Sequence, residues 1–125
     1  MSNKVIIVQS FGMKYGMPTI GDYILDVRFL PNPFYVPELK ELTGNDKVVQ
    51  DYITAQPQTA RFLKCLEEMV DCVVAEFVKK DKPQLVISVG CTGGRHRSVY
   101  VAAMLVKHLL AMGYNAQASH RDIDR

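Results

Sequence analysis

Gln84-Leu85-Val86-Ile87-Ser88-Val89-Gly90-Cys91-Thr92-Gly93-Gly94-Arg95-His96-Arg97-Ser98 holds the signals that decide the fold. Gln84 to Gly90 is a short apolar, β-branched run that follows Pro83, the pattern of a buried strand. Arg95 to Met112 then changes period. Val99, Ala102, Leu105, Val106 and Leu109 form one apolar stripe of a helix, and Gly113 stands where a helix C-cap belongs. A strand passing into a helix through two glycines is a β–α junction. Ligands of open α/β sheets sit at that edge, beyond the carboxyl ends of the strands.

The flanking sequence supplies further elements. Lys4 to Gln9 reads as a first buried strand, bounded by Ser10-Phe11-Gly12. Tyr23 to Leu30 alternates as a second strand and ends at Pro31-Asn32-Pro33, because proline lacks a ladder N–H. Val36 to Leu39 is expected to begin a short helix with Pro37 at its first position, and Asp46 to cap another through Thr54. Gln58 to Lys80 is the longest periodic segment. Phe62, Leu66, Met69, Val70, Val73 and Phe77 recur at helical spacing, and Lys79, Lys80 and Lys82 suit a helix C-terminus. Tyr114 to Ser119 reads as a last strand, with His120 to Arg125 a polar tail. The expected fold is α/β: one domain over residues 1–125, with a mostly parallel sheet flanked by helices in two or three layers.

Composition narrows the class. In 125 residues, 48% are apolar, enough for one packed core. No apolar run reaches the roughly 18–20 residues that span a bilayer, and the apolar start at Val5 meets Gln9 and Ser10 too soon for a signal-peptide core. Cys65, Cys72 and Cys91 have neither a disulfide-framework nor a structural-zinc spacing. The reading is a cytoplasmic protein with reduced thiols, no metal and no cofactor. A net charge of +2 neither demands nor excludes nucleic acid.

The chemistry concentrates at the β–α junction. Gly93 and Gly94 let backbone N–H groups approach a ligand, and the first N–H groups of the helix lack intrahelical partners. Arg95, His96 and Arg97 add donors and charge, and Thr92 and Ser98 add hydroxyls. Together they compose a phosphate-type anion site at a helix N-terminus, against the plain alternative of a packing turn. Cys91-x-x-Gly94-x-x-Arg97-Ser98 also matches the loop of cysteine-dependent phosphatases, with Cys91 as nucleophile and Arg97 as phosphate clamp. Gly90 stands where those enzymes usually carry histidine, and Asp22, Asp26 and Asp46 are the loop carboxylates from which a general acid would come. The alternative is a small, semi-buried cysteine at a strand end.

Other residues carry two readings each. Arg28 and Lys14 line the pocket or are surface charge. Asn32 aims an amide into the pocket or satisfies a turn. His120 and Arg121 extend a basic, RNA-binding face with Lys14, or belong to a frayed tail. Tyr15, Phe34 and Tyr35 stack on RNA bases or pack in loops. His108 is expected at the surface, and Cys65 and Cys72 in helix packing.

Four motifs in order resemble the C-terminal domain of the RapZ family of RNase adapter proteins. They are Ser10-Phe11-Gly12-Met13-Lys14-Tyr15-Gly16, Asp26-Val27-Arg28-Phe29-Leu30-Pro31-Asn32-Pro33, Gly90 to Tyr100, and His120-Arg121-Asp122. The resemblance runs from Val8 to Arg125. It implies an α/β fold similar to a phosphofructokinase subdomain and RNA binding. It also implies sensing of an amino-sugar phosphate, glucosamine-6-phosphate, at the glycine-rich loop, where Thr92, Gly93 and Arg97 match pocket positions. Members of the family associate, which implies a homo-oligomer. The family's full-length members carry a P-loop nucleotide-binding domain whose motif is absent from this sequence. A free-standing second domain is therefore expected, with a separate P-loop nucleotide-binding protein as a partner. The enteric adapters carry histidine where this chain has Phe34 and Tyr15, which points to a kept phosphate grip and a changed sugar end.

Overall fold

The computed structural model describes residues 4–125. The reading of Met1-Ser2-Asn3 as the lead into the first strand lies outside them. Four strands form one parallel sheet: β1 (Val5–Gly12), β2 (Tyr23–Asp26), β3 (Gln84–Cys91) and β4 (Ala116–His120), in spatial order β2-β3-β1-β4. Three helices accompany them: α1 (Lys47–Thr54), α2 (Pro57–Phe77) and α3 (Arg97–Ala111).

The helices share one buried cluster with one face of the sheet. Ile6 and Val8 pair with Leu85 and Ile87 in register, so their side chains lie on the same face. Val49 and Ile53 of α1, Leu66, Val70 and Val74 of α2, and Tyr100, Leu105 and Leu109 of α3 join them. On the other face Ile7 and Gln9 are only half-buried. Of the two- and three-layer forms, this helix packing is the two-layer one. Among the described residues no helix is long and apolar enough to cross a membrane.

Several boundaries differ from expectation for local reasons. β1 runs on through Ser10, Phe11 and Gly12, which pair with Val89, Gly90 and Cys91. β2 stops at Asp26. There the Asp26 carboxylate accepts the Arg28 N–H at 2.9 Å, and Val27 and Leu30, both buried, close a turn through the Leu30 N–H and Val27 carbonyl. Burying Val27 and Leu30 together in the turn after the edge strand wins over the alternating pattern. Pro37 does head a turn, in which the Val36 carbonyl accepts the Leu39 and Lys40 N–H groups at 2.9 and 3.0 Å, but the turn does not extend into a helix, and a second proline, Pro33, heads another turn before it. The segment Pro33–Tyr35 is a 3-10 turn, and Asn32 Oδ1 accepts the Phe34 N–H at 3.1 Å. α2 begins at Pro57 and ends at Phe77, leaving Lys79 and Lys80 in the turn beyond.

Three side chains are placed differently as well. Cys65 and Cys72 are exposed, not in helix packing. His108 is half-buried, with its Nε2 2.7 Å from Asp71 Oδ1, so it bridges α3 to α2.

The C-terminal residues are ordered, not a frayed tail. The Asp122 carboxylate is fully buried and accepts the Gly12 N–H at 2.7 Å. Arg121 and Arg125 pair with it at 2.8 and 2.7 Å. Burial alone pushes this carboxyl up. The Arg121 hydrogen bond, the Gly12 N–H and the two guanidinium charges outweigh burial and hold it below its ordinary 3.8. A depressed carboxyl contributes its stability fully above the ordinary value and loses it as pH falls through the lower, folded value. Asp122→Asn is therefore expected to cost about 3 kcal/mol near neutrality. The gap to wild type should narrow below pH 4 in urea denaturation followed from pH 6 to pH 2.5. A gap independent of pH would contradict the assignment.

Candidate functional site

The loop 92–96 leaves β3 and enters α3 over the end of β1. Gly94 adopts φ +75°, and a Cβ there would lie 2.5 Å from the Gly12 nitrogen. Two backbones therefore cross in contact, which only glycine permits. At Gly93 an added Cβ would meet nothing within 4 Å, so the bare backbone opens outward. Among the described residues, nothing accepts a hydrogen bond from the N–H groups of Gly93, Gly94, Arg95 and His96.

A cavity of about 370 Å³ lies against this loop. Cys91, Thr92, Gly93, Arg95, His96, Arg97, Asn32 and Lys14 line it, together with Tyr15, Phe34, Tyr35, Lys40, Glu41 and Arg125. Five lining residues are basic and one is acidic. With a net charge of only +2 on the whole chain, positive charge is concentrated here.

The three consecutive residues after the glycines do more than carry charge. Arg97 is 5% exposed, and its Nη1 donates to the carbonyls of Arg28 and Leu30 at 2.5 and 3.0 Å. His96 Nε2 lies 3.1 Å from the Leu39 carbonyl, which can only accept, so Nε2 bears the proton. Burial, assisted by the Arg95 charge, pushes this imidazole below its ordinary 6.5, so it is neutral at pH 7. Arg95 donates to the carbonyls of Glu41 and Leu42 at 2.6 and 3.2 Å, and its own carbonyl accepts the Gly44 N–H at 2.9 Å. The triplet thus fastens the excursion 28–44 along the loop. Arg97 keeps Nη2, 3.5 Å from Thr92 Oγ1, and its buried Nε has no partner among the described residues.

The remaining site residues fall in different places. Ser98 is buried and accepts from Cys91 Sγ at 3.2 Å. Gly94 packs on Gly12 and does not line the cavity. Arg28 is outside the lining and pairs with Asp26 at 2.7 Å. His120 is also outside it, with Nδ1 2.7 Å from Ser10 Oγ. Arg121 donates to Asp122 and to the Gly16 carbonyl. Of the loop carboxylates considered as a general acid, Asp22 pairs with Lys82 and Asp46 accepts from the Thr43 N–H. Neither these two nor Asp26 lines the cavity.

Lys40, Glu41 and Arg125 line the cavity without having been singled out in the sequence. Lys40 and Glu41 arrive on the excursion that Arg95 fastens. Arg125 arrives because Asp122, three residues earlier, anchors the C-terminus; that i,i+3 ion pair was the available signal.

The comparisons with known proteins agree on one family. The chain is 50% identical over 118 residues to a nucleotide-binding protein of Clostridium botulinum (strain Eklund 17B / Type B), covering 94% of this chain and 40% of that protein. It is 49% identical over 122 residues to a nucleotide-binding protein of Clostridium perfringens (strain SM101 / Type A), covering 98% and 42%. A nucleotide-binding protein of Alkaliphilus oremlandii (strain OhILAs) matches at 47% over 121 residues, covering 97% and 42%. The chain thus spans about two fifths of the length of these curated relatives. The family model described as the RapZ C-terminal domain matches residues 4–124, and the chain belongs to that family.

Proposed function

We propose that this domain is a phosphate-binding regulatory module, with a phosphorylated sugar-type metabolite, the amino-sugar phosphates included, seated on the loop 92–97. The observation that carries the reading is the set of N–H groups at residues 93–96 without acceptors among the described residues, of which Gly93, Arg95 and His96 line a cavity with five cationic lining residues. The N–H groups and the start of α3 supply a fixed, partly positive cradle. Arg97 Nη2 and Thr92 Oγ1 stand beside it as further donors. Lys14, Lys40 and Arg125 add charge at the rim.

The same basic rim, interleaved with Tyr15, Phe34 and Tyr35, is the proposed RNA-binding face, centred on Lys14. Arg121 Nε and Nη2 and His120 Nδ1 are engaged within the chain, so their part in that face is the smaller. Association of copies of this chain, and a P-loop nucleotide-binding protein as partner, complete the reading that the family resemblance and the relatives' names support.

The geometry favours binding over the phosphatase alternative. Cys91 is 3% exposed with its thiol directed to Ser98, and Arg97 already holds two carbonyls. Both carbonyls are held by Nη1, so Nε and Nη2 remain for an anion, but none of Asp22, Asp26 and Asp46 lines the cavity as a general acid.

Glucosamine-6-phosphate and inorganic phosphate, titrated calorimetrically into the full chain, test the site. Arg97→Ala is a poor probe, because it also releases the Arg28 and Leu30 carbonyls. The double variant Lys14→Ala/Lys40→Ala is expected to lower affinity for both ligands about tenfold, one charged contact's worth, with an unchanged melting temperature. Unchanged affinity would remove the rim from the site, and absence of binding by the wild-type chain would remove the reading itself.

RNA affinity is expected to fall steeply as salt rises from 50 to 200 mM. The same double variant should reduce the slope of log K against log salt by about two. A gel-shift series without retardation at low salt would exclude the RNA face.

A further inference from the structure

We propose that the group bound in this cavity is a nucleoside monophosphate, with its phosphate on the loop 93–96 and its base stacked at the Phe34–Tyr35 rim. The proposal deepens the phosphate reading above and rests on it.

The reason lies in what lines the cavity away from the loop. Tyr35 is 79% exposed, and Phe34 is 46% exposed. Their rings meet edge to face at 5.5 Å, and Lys40 Nζ stands 4.8 Å over the Phe34 ring. Phe34 is thereby fixed between a cation and a ring edge, while the Tyr35 ring is left largely to solvent. Tyr15 lines the same cavity under its own cations, with Lys14 Nζ 5.3 Å and Arg125 4.7 Å from its ring. Burial is the usual fate of aromatic rings that serve packing. Exposed rings interleaved with cations, beside a phosphate cradle, are the composition that takes a flat base joined to a phosphate.

A sugar phosphate that also carries a base uses the aromatic rim, which a bare one leaves empty. Sugar hydroxyls need several polar partners. Beyond the loop, Asn32 Oδ1 is already occupied by the Phe34 N–H, and Glu41 is the single acidic lining residue. One carboxylate suits the hydroxyls of one ribose. The volume of about 370 Å³ falls within the range of small-molecule sites. The buried Nε of Arg97, without a partner, marks the same wall as one built for an anion.

The test is calorimetry on the full chain with inorganic phosphate, ribose 5-phosphate, adenosine and adenosine 5′-monophosphate. The nucleotide is expected to bind at least tenfold more tightly than ribose 5-phosphate, at the low end of what one base–aromatic stack contributes. Tyr35→Ala should bring the nucleotide down to the ribose 5-phosphate level and leave ribose 5-phosphate unchanged. Tyr35→Phe should restore the difference. A 5′-phosphorylated tetranucleotide distinguishes the source: tighter binding than the mononucleotide assigns the group to an RNA end, and equal or weaker binding to a free metabolite.

Equal affinities for ribose 5-phosphate and adenosine 5′-monophosphate would overturn the proposal and leave the phosphate site standing. An equal loss of both in Tyr35→Ala would overturn it as well. No binding of any of the four would remove the phosphate site and the proposal together.

Discussion

The site depends on three side chains grasping backbone carbonyls. Arg95, His96 and Arg97 follow one another directly, and each reaches a different part of the excursion 28–44. That excursion is mostly turns, so its carbonyls have few partners of their own. Leaving such groups buried and unpaired costs about 1–3 kcal/mol each. The triplet bonds five carbonyls of the excursion, one of which, Leu39, also accepts the Leu42 N–H, and brings Asn32, Phe34, Tyr35, Lys40 and Glu41 to the loop. Without it, the loop would stand at the open end of a sheet, with no wall opposite.

The same triplet explains what could be read from sequence and what could not. The strand 84–91 and helix 97–111 were legible, because their burial patterns are local and periodic. β1 was legible except for its last turn of pairing, where Ser10 and Gly12 looked like a boundary. Their partners, Val89 and Cys91, are nearly eighty residues away, so no local pattern announces them. The fold class followed from element order. Charge at Arg95 and Arg97 was also legible, but its use was not. A guanidinium that binds a ligand and one that binds a carbonyl look the same in a sequence. His96 even changes its formal contribution, since burial leaves it neutral.

The C-terminus shows the same limit from the other side. His120 to Arg125 is polar throughout, the composition of a solvated tail. A single buried carboxylate reverses that. Asp122 takes the Gly12 N–H and gathers two arginines, and Gly12 is also the residue that Gly94 packs upon. The end of β1 is therefore held from one side by the loop and from the other by the C-terminus. Arg125, carried in by this lock, becomes part of the cavity wall.

Folding and binding share atoms at the loop itself and separate at the rim. Arg97 holds two carbonyls with one nitrogen and faces the cavity region with another, so its substitution changes both processes at once. Lys14, Lys40 and Tyr35 are exposed enough to be removed without taking a core contact with them. The loop's backbone groups are fixed in position by the glycines and the triplet. The wall facing the loop is made instead by side chains of the excursion. Tyr15 and Phe34 likewise line the cavity outside the loop. Side chains at the rim can therefore change without disturbing the fold, whereas the loop, crossed by Gly12 and tied by the triplet, cannot.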